Sequence, residues 1–157
     1  MNLDDIIDAQ SVLANVKSQG KKQLLQELSH VLATRVAIDY RIIFETLLTR
    51  EKLGSTGIGQ GIAIPHGKLA TLGRVYGLFA KLAAPIDFDS VDGQPVDLVF
   101  VLLAPDHAGA DHLKALARIS RLLRDPIMVA KLRGTDSEDG LYAILTEPNS
   151  SRNATAA

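Results

Sequence analysis

The stretch Gly54-Ser55-Thr56-Gly57-Ile58-Gly59-Gln60-Gly61-Ile62-Ala63-Ile64-Pro65-His66-Gly67-Lys68 decides how the chain is read. Four glycines, Gly54, Gly57, Gly59 and Gly61, fall within eight residues. Glycine permits positive φ and close backbone approach, so such a run can turn repeatedly and aim several N–H groups at one anion. The apolar run Ile62-Ala63-Ile64 follows. Pro65 fixes its own φ and pushes Ile64 into an extended conformation. His66 is then displayed from a stiffened position with Gly67 behind it.

Two nucleotide-binding glycine motifs are excluded. A Walker A loop requires G-x-x-x-x-G-K-[ST]. From Gly61 to Gly67 there is one intervening residue too many, and Leu69 stands where a hydroxyl should be. The dinucleotide fingerprint G-x-G-x-x-G opens a helix after a strand. Gly57-Ile58-Gly59-Gln60-Gly61 has the wrong third spacing. The residues alone leave open a plain glycine-rich turn feeding a strand, with an incidental surface histidine.

Upstream of the run, residues 1–17 read as an irregular or short helical lead-in whose Leu3, Ile6, Ile7 and Val12 cover an edge of the core. Gly20–Arg35 reads as a helix, with Leu24, Leu25, Leu28, Val31 and Leu32 at helical spacing and Ser18 as its N-cap. His30 falls on the polar side. Asp39 caps a second helix, Tyr40–Lys52, with Ile43, Phe44, Leu47 and Leu48 as its apolar face. Arg50 and Glu51 end that helix and lead into the glycines.

Downstream, Val75–Leu82 reads as a strand, Pro85–Asp89 as a short extended piece, and Asp92-Gly93 as a turn. Val96–Leu103 is the most apolar segment and reads as a central strand buried on both faces. Its end meets a loop, where sites gather in open α/β sheets. A helix begins at Ala110 or Asp111, with Leu113, Leu116, Ala117 and Ser120 on one side and Ile119, Leu122 and Leu123 widening it. His112 lies in its first turn, where free N–H groups and the helix dipole favour an anion. Asp125-Pro126 opens a short helix closed by Gly134. Asp136 caps a last helix, Ser137–Leu145. The polar tail from Pro148 onward reads as disordered.

The run Leu48–Lys68 as a whole resembles the phosphorylation-site signature of enzyme IIA proteins of the phosphoenolpyruvate:sugar phosphotransferase system. The class is that of fructose and mannitol, and the nitrogen-regulatory branch is the nearest in pattern. Pro85-Ile86-Asp87-Phe88-Asp89, Asp92-Gly93-Gln94-Pro95-Val96-Asp97-Leu98 and His112-Leu113 extend the resemblance across most of the chain. Gln60 stands where many members carry Asn, and Lys68 where some carry Arg.

The resemblance implies that His66 accepts a phosphoryl group. It implies that Arg50 helps to hold the phosphate and that His112 lies near the acceptor. The expected donor is an HPr-type phosphocarrier protein. The expected output is control of a regulated target protein, such as a potassium transporter, a sensor kinase or an enzyme, in nitrogen, potassium or carbon metabolism. The alternative within the family is a sugar-uptake subunit that passes the group to a separate EIIB. Outside it stand a protein-binding module that is never phosphorylated and a metal hydrolase built on His66, His107 and His112. Against the last, His107 and His112 are five residues apart and no H-E-x-x-H occurs.

Transfer between histidines needs a neutral ring nitrogen near pH 7 and donors for a group carrying roughly two negative charges. Arg50, the N–H groups of the loop glycines Gly57, Gly59, Gly61 and Gly67, and the helix end near His112 are the expected donors. A backbone carbonyl is the expected partner of the other His66 nitrogen. No metal or organic cofactor is required.

The bulk properties agree. The chain has 157 residues, a net charge of −1 and no cysteine. That length suits one domain with a sizeable core. The charge offers no case for nucleic acid or an anionic membrane. The absence of cysteine removes disulfides and thiol chemistry and fits the cytoplasm. The acidic start is unlike a signal peptide, and the longest apolar run, Leu98–Ala104, is too short to span a bilayer. The expected architecture is a single α/β domain over residues 1–147, a mixed β-sheet flanked by helices on both faces, with 148–157 as a tail.

Overall fold

The apolar segment becomes the spine of the molecule. In the computed structural model, which describes residues 2–147, Val96–Pro105 forms strand β6 at the centre of a mixed sheet. The other strands are β1 (Val12–Val16), β2 (Gly57–Gly59), β3 (Ile62–Ala63), β4 (His66–Leu69) and β5 (Tyr76–Ile86). Their order is β1-β5-β6-β3-β2, with β4 also paired to β6. β5 runs antiparallel to β6, whereas β3 and β4 run parallel to it. Parallel neighbours need a long crossover, here the segment from His66 through β5.

Alternation along β6 explains why helices lie on both faces. Leu98, Phe100 and Leu102 join one core with Ile6, Ile7, Phe79, Ile119 and Leu132. Val99, Val101 and Leu103 join the other with Leu24, Leu28, Ile43 and Leu47. The first layer belongs to α3 (Ala110–Arg124), α4 (Pro126–Arg133) and α5 (Glu138–Leu145). The second belongs to α1 (Lys21–Val36) and α2 (Tyr40–Leu53). A strand with apolar side chains on both faces must be covered twice. This is the mixed, two-faced α/β architecture expected.

Four local readings are corrected. The lead-in is two 3₁₀ turns followed by β1, which pairs with β5. β1 is short, its register shifts, and Asn15 interrupts it at φ 55°; its strand state comes from a distant partner, which local pattern does not carry. Gly20, not Ser18, is the N-cap of α1, and the Ser18 hydroxyl donates to the Gly20 carbonyl. Ser137, not Asp136, caps α5 by accepting from the Gly140 N–H, while Asp136 meets Lys81. The buried stripe of α3 is His112, Ala115, Ile119, Leu122 and Leu123. Leu113, 69% exposed, is outside it, because the stripe starts on a histidine that an apolar pattern does not count. The tail expected from Pro148 lies outside the described residues.

The caps at Asp39 and at Asp125-Pro126 form as expected, each carboxylate accepting from the N–H two residues on. Pro85 continues β5 to Ile86 at an exposed end where the pairing to β6 shifts. His30 is exposed and stacks on Tyr40 with centroids 3.8 Å apart.

Phe100 is fully buried and packs edge-on against Phe79, with centroids 6.3 Å apart. Phe100→Ala is expected to cost about 3–5 kcal/mol, read as a lower midpoint in denaturant unfolding.

Candidate functional site

The glycine run folds into a hairpin and a broken strand. Ile62 faces Leu98 and His66 faces Leu102, so β3 and β4 keep one register along β6 across Pro65. Residues facing each other in register share a face of the sheet. His66 and Lys68 therefore look toward α3, and Gly67 looks toward α2. The α2 helix comes so close that a Cβ on Gly67 would meet Thr46 Cγ2 at 2.5 Å.

Proline supplies the break that matters for chemistry. The Pro65 carbonyl accepts from Leu102 N–H at 2.9 Å. The Ile64 carbonyl turns to the imidazole instead, and His66 Nδ1 lies 2.8 Å from it. A carbonyl only accepts, so Nδ1 carries the proton and Nε2 keeps its lone pair. This is the backbone partner expected for the second nitrogen.

His112 projects from the first turn of α3 toward the same place. Its ring centroid is 5.7 Å from that of His66, at 57°. His112 is 8% exposed, and its Nε2 is buried with no hydrogen-bond partner. An orphan polar atom at such a position calls for an explanation. Arg50, in the last turn of α2, donates to the Gly54 carbonyl at 2.7 Å, and its charge bears on His66.

Burial first, and then the Arg50 charge, pull His66 below the ordinary imidazole range, opposed by the Ile64 hydrogen bond and the Glu51 carboxylate. Burial also lowers His112, followed by the charges of His66 and Lys68. Both rings are held neutral near pH 7. The arrangement is an imidazole with its Nδ1 taken by the Ile64 carbonyl, acted on by the Arg50 charge and lying beside a histidine with an orphan ring nitrogen. It suits an incoming anion at His66.

The structure brings together His66, His112, Arg50 and Gly67. It does not bring Gly57, Gly59 and Gly61 to them, and that expectation is corrected. Gly57 pairs with Ala63, opposite Val99, and Gly61 accepts from the N–H groups of Asp97 and Leu98. Gly61 is thus four to five strand residues from the level of Leu102, about 13–17 Å along β6. There φ is +81° at Gly61, and an added Cβ would strike the Arg133 guanidinium and Asp97. These glycines build the hairpin, not the anion site. His107 lines a separate cavity of about 320 Å³ with Asp5, Arg74 and Asp111. Among the described residues no three His, Cys, Asp or Glu side chains converge as metal ligands would.

Glu51 and Thr56 were not singled out by the sequence. The Glu51 side chain is 2% exposed. It accepts from Thr56 N–H at 2.7 Å and from the Thr56 hydroxyl at 2.7 and 3.0 Å. The available signal was a carboxylate on the last helical turn with a hydroxyl just beyond the glycine that turns the chain back.

Comparison with known proteins places this geometry. Residues 5–147 match the family described as "Phosphoenolpyruvate-dependent sugar phosphotransferase system, EIIA 2". The nitrogen regulatory protein of Bradyrhizobium diazoefficiens is 53% identical over 94% of this chain and 97% of its own length. The crystal structure of nitrogen regulatory protein IIA-Ntr from Neisseria meningitidis superposes with a TM-score of 0.87 at 35% identity, over 92% of this chain and 99% of that one. Enzyme IIA of mannitol from Escherichia coli, in its complex with phosphorylated enzyme IIB, shares the fold with a TM-score of 0.75 at 19% identity, over 91% and 100% of the two chains.

The chain belongs to the EIIA type 2 family of the phosphotransferase system. Its similarity to the nitrogen regulatory members marks it as a regulatory phosphocarrier. Among the described residues no helix is long and apolar enough to cross a membrane.

The two lowered imidazoles make stability depend on pH. The folded state holds fewer protons on His66 and His112 than the unfolded state, whose imidazoles titrate near 6.5. Stability therefore falls as pH drops through 6.5 toward the lowered folded values. Urea midpoints measured between about pH 7.5 and 5.5 should decrease, and the decrease should shrink in a His66→Asn/His112→Asn variant.

Proposed function

We propose that the protein takes a phosphoryl group onto Nε2 of His66 from an HPr-type phosphocarrier and signals by its phosphorylation state. The observation that carries the reading is the locked tautomer: Nδ1 committed to Ile64, and Nε2 free beside the orphan nitrogen of His112.

The Nε2 lone pair forms the new N–P bond as the donor's own N–P bond breaks in line. The donor imidazole leaves with that electron pair. The His66 Nδ1 proton stays on the ring, donated to the Ile64 carbonyl, throughout. Arg50 and a ring N–H of His112 take the equatorial oxygens, and the first turn of α3 adds its dipole. The step uses no metal or organic cofactor, because the donor brings an activated group. This reading puts the protein in the cytoplasm beside its donor. It makes regulation of a target protein, such as a potassium transporter or a sensor kinase, the output. Passage to an EIIB partner is the second reading, supported by the fold shared with the mannitol protein.

Incubation with phosphoenolpyruvate, an enzyme I-type protein and the HPr-type carrier should give an acid-labile phosphoryl adduct by intact mass. His66→Ala should show none. Arg50→Ala should label roughly 10²-fold more slowly. An adduct retained in His66→Ala would overturn the assignment. Rapid transfer to an EIIB acceptor would move the output from regulation to sugar uptake.

A further inference from the structure

Hydrogen bonds on two intervening residues, Thr56 and Ile64, connect a buried carboxylate to the His66 imidazole. Glu51 accepts from the N–H and hydroxyl of Thr56 at 2.7–3.0 Å. The Thr56 carbonyl accepts from Ile64 N–H at 3.0 Å. The Ile64 carbonyl accepts from His66 Nδ1 at 2.8 Å. Thr56 and Ile64 each donate from one peptide group and accept on the next, so the links act as a scaffold that holds the backbone around the ring in place. Lys21 Nζ, at 3.4 Å from Glu51, is the carboxylate's ionic partner, and it also reaches Asp89.

The geometry points to Glu51 as a positioning residue for phosphoryl transfer: through Thr56 and Ile64 its carboxylate fixes the His66 tautomer and supports the positive charge the ring acquires. The inference rests on His66 being the acceptor. When Nε2 bonds to phosphorus, the ring keeps the Nδ1 proton and becomes more cationic, and the Nδ1–H bond to Ile64 shortens in demand. The Glu51 charge acts on the ring directly and offsets part of that positive charge, while the hydrogen bonds hold the Ile64 carbonyl in place to accept from Nδ1. The same carboxylate anchors the start of the glycine hairpin, so the imidazole and the backbone that orients it hang from one group. A buried carboxylate that served structure alone would act on Thr56 and leave the ring unaffected. Here the Glu51 charge also raises the His66 pKa against burial and the Arg50 charge. The charged or titratable groups facing this ring are Arg50 and Glu51 from α2 and His112 from α3, with Lys68 on β4 acting on His112.

The experiment uses the full chain and its Glu51→Gln variant, which keeps shape and removes charge. Nitrogen-15 NMR of the unphosphorylated imidazole gives the His66 tautomer and midpoint, and the HPr-type donor gives the transfer rate. Glu51→Gln should lower the His66 midpoint by about one unit, reduce the Nδ1–H population and slow transfer roughly 10-fold. An unchanged midpoint and tautomer would overturn the proposal even if transfer slowed, since Glu51 would then serve structure only. If Glu51→Gln does not fold, Thr56→Val and Thr56→Ser decide. Val, without the hydroxyl, should reproduce the NMR changes in part, and Ser should restore wild-type behaviour; equal behaviour of the two would overturn it. Because the titration needs no donor, failure of wild type to label on His66 would remove the phosphocarrier reading while the Glu51 result still stood.

Discussion

The Ile64 carbonyl accepts the His66 Nδ1 proton at 2.8 Å because Pro65 takes the following peptide out of step with its own side chain. In an uninterrupted strand that carbonyl would be committed to a neighbouring strand. Proline has no N–H and a fixed φ, yet its carbonyl still reaches Leu102 N–H, so β4 resumes on β6 in register. The sheet is thus cut where a free acceptor is needed. Leu102, Phe100 and Leu98 keep the broken strand on the α3 face, and that face is where His112 waits.

The site then holds a set of unmatched charges that offset one another. Two imidazoles kept neutral by burial, a guanidinium tied to Gly54 and a carboxylate at 2% exposure meet around one site, where the charges of Arg50 and Glu51 act on His66. A buried carboxylate left alone is costly. Glu51 has Thr56 and Lys21 on it, and this is why a charge can sit under a reactive histidine without disrupting the fold. Arg133 does the same at the far end of the hairpin, paired twice to Asp97 and donating to the Gln60 carbonyl. Clamped at both ends, the hairpin cannot swing His66 away from α3.

The architecture was legible where the signal was apolar and continuous. Val96–Leu103 announced a strand covered on both faces, and Leu24, Leu28, Ile43 and Leu47 announced the helices that cover one of them. The grouping of His66 with His112 and Arg50 was legible through the motif that ends in Pro65-His66. What was not legible required knowing who faces whom. β1 is made by β5, more than sixty residues away along the chain. The glycines Gly57, Gly59 and Gly61 look like an anion cradle in one dimension, and only the register Gly57–Ala63–Val99 shows them at the wrong end of β6. Glu51 looked like one more helix-terminal charge. Its importance comes from a burial that composition cannot express.

These constraints bear on how such a protein reports its state. The histidine is fixed by its backbone partner, the hairpin is clamped, and the strands around it are packed to zero exposure from Leu98 to Ala104. Interiors packed in this way are not continuously deformable. On the proposed reading, a phosphoryl group on Nε2 changes the local charge by about two units before it changes the shape. Leu53 at the end of α2 and Leu113 next to His112 in sequence are exposed apolar side chains, 82% and 69%. A partner resting on apolar side chains loses affinity when an uncompensated anion appears among them and gains it when it brings the matching cation. On that reading the readout is electrostatic, and its reach is set by screening over roughly 8–10 Å at cellular salt. Under the proposed function, a target that senses the group does so only from within that radius of His66.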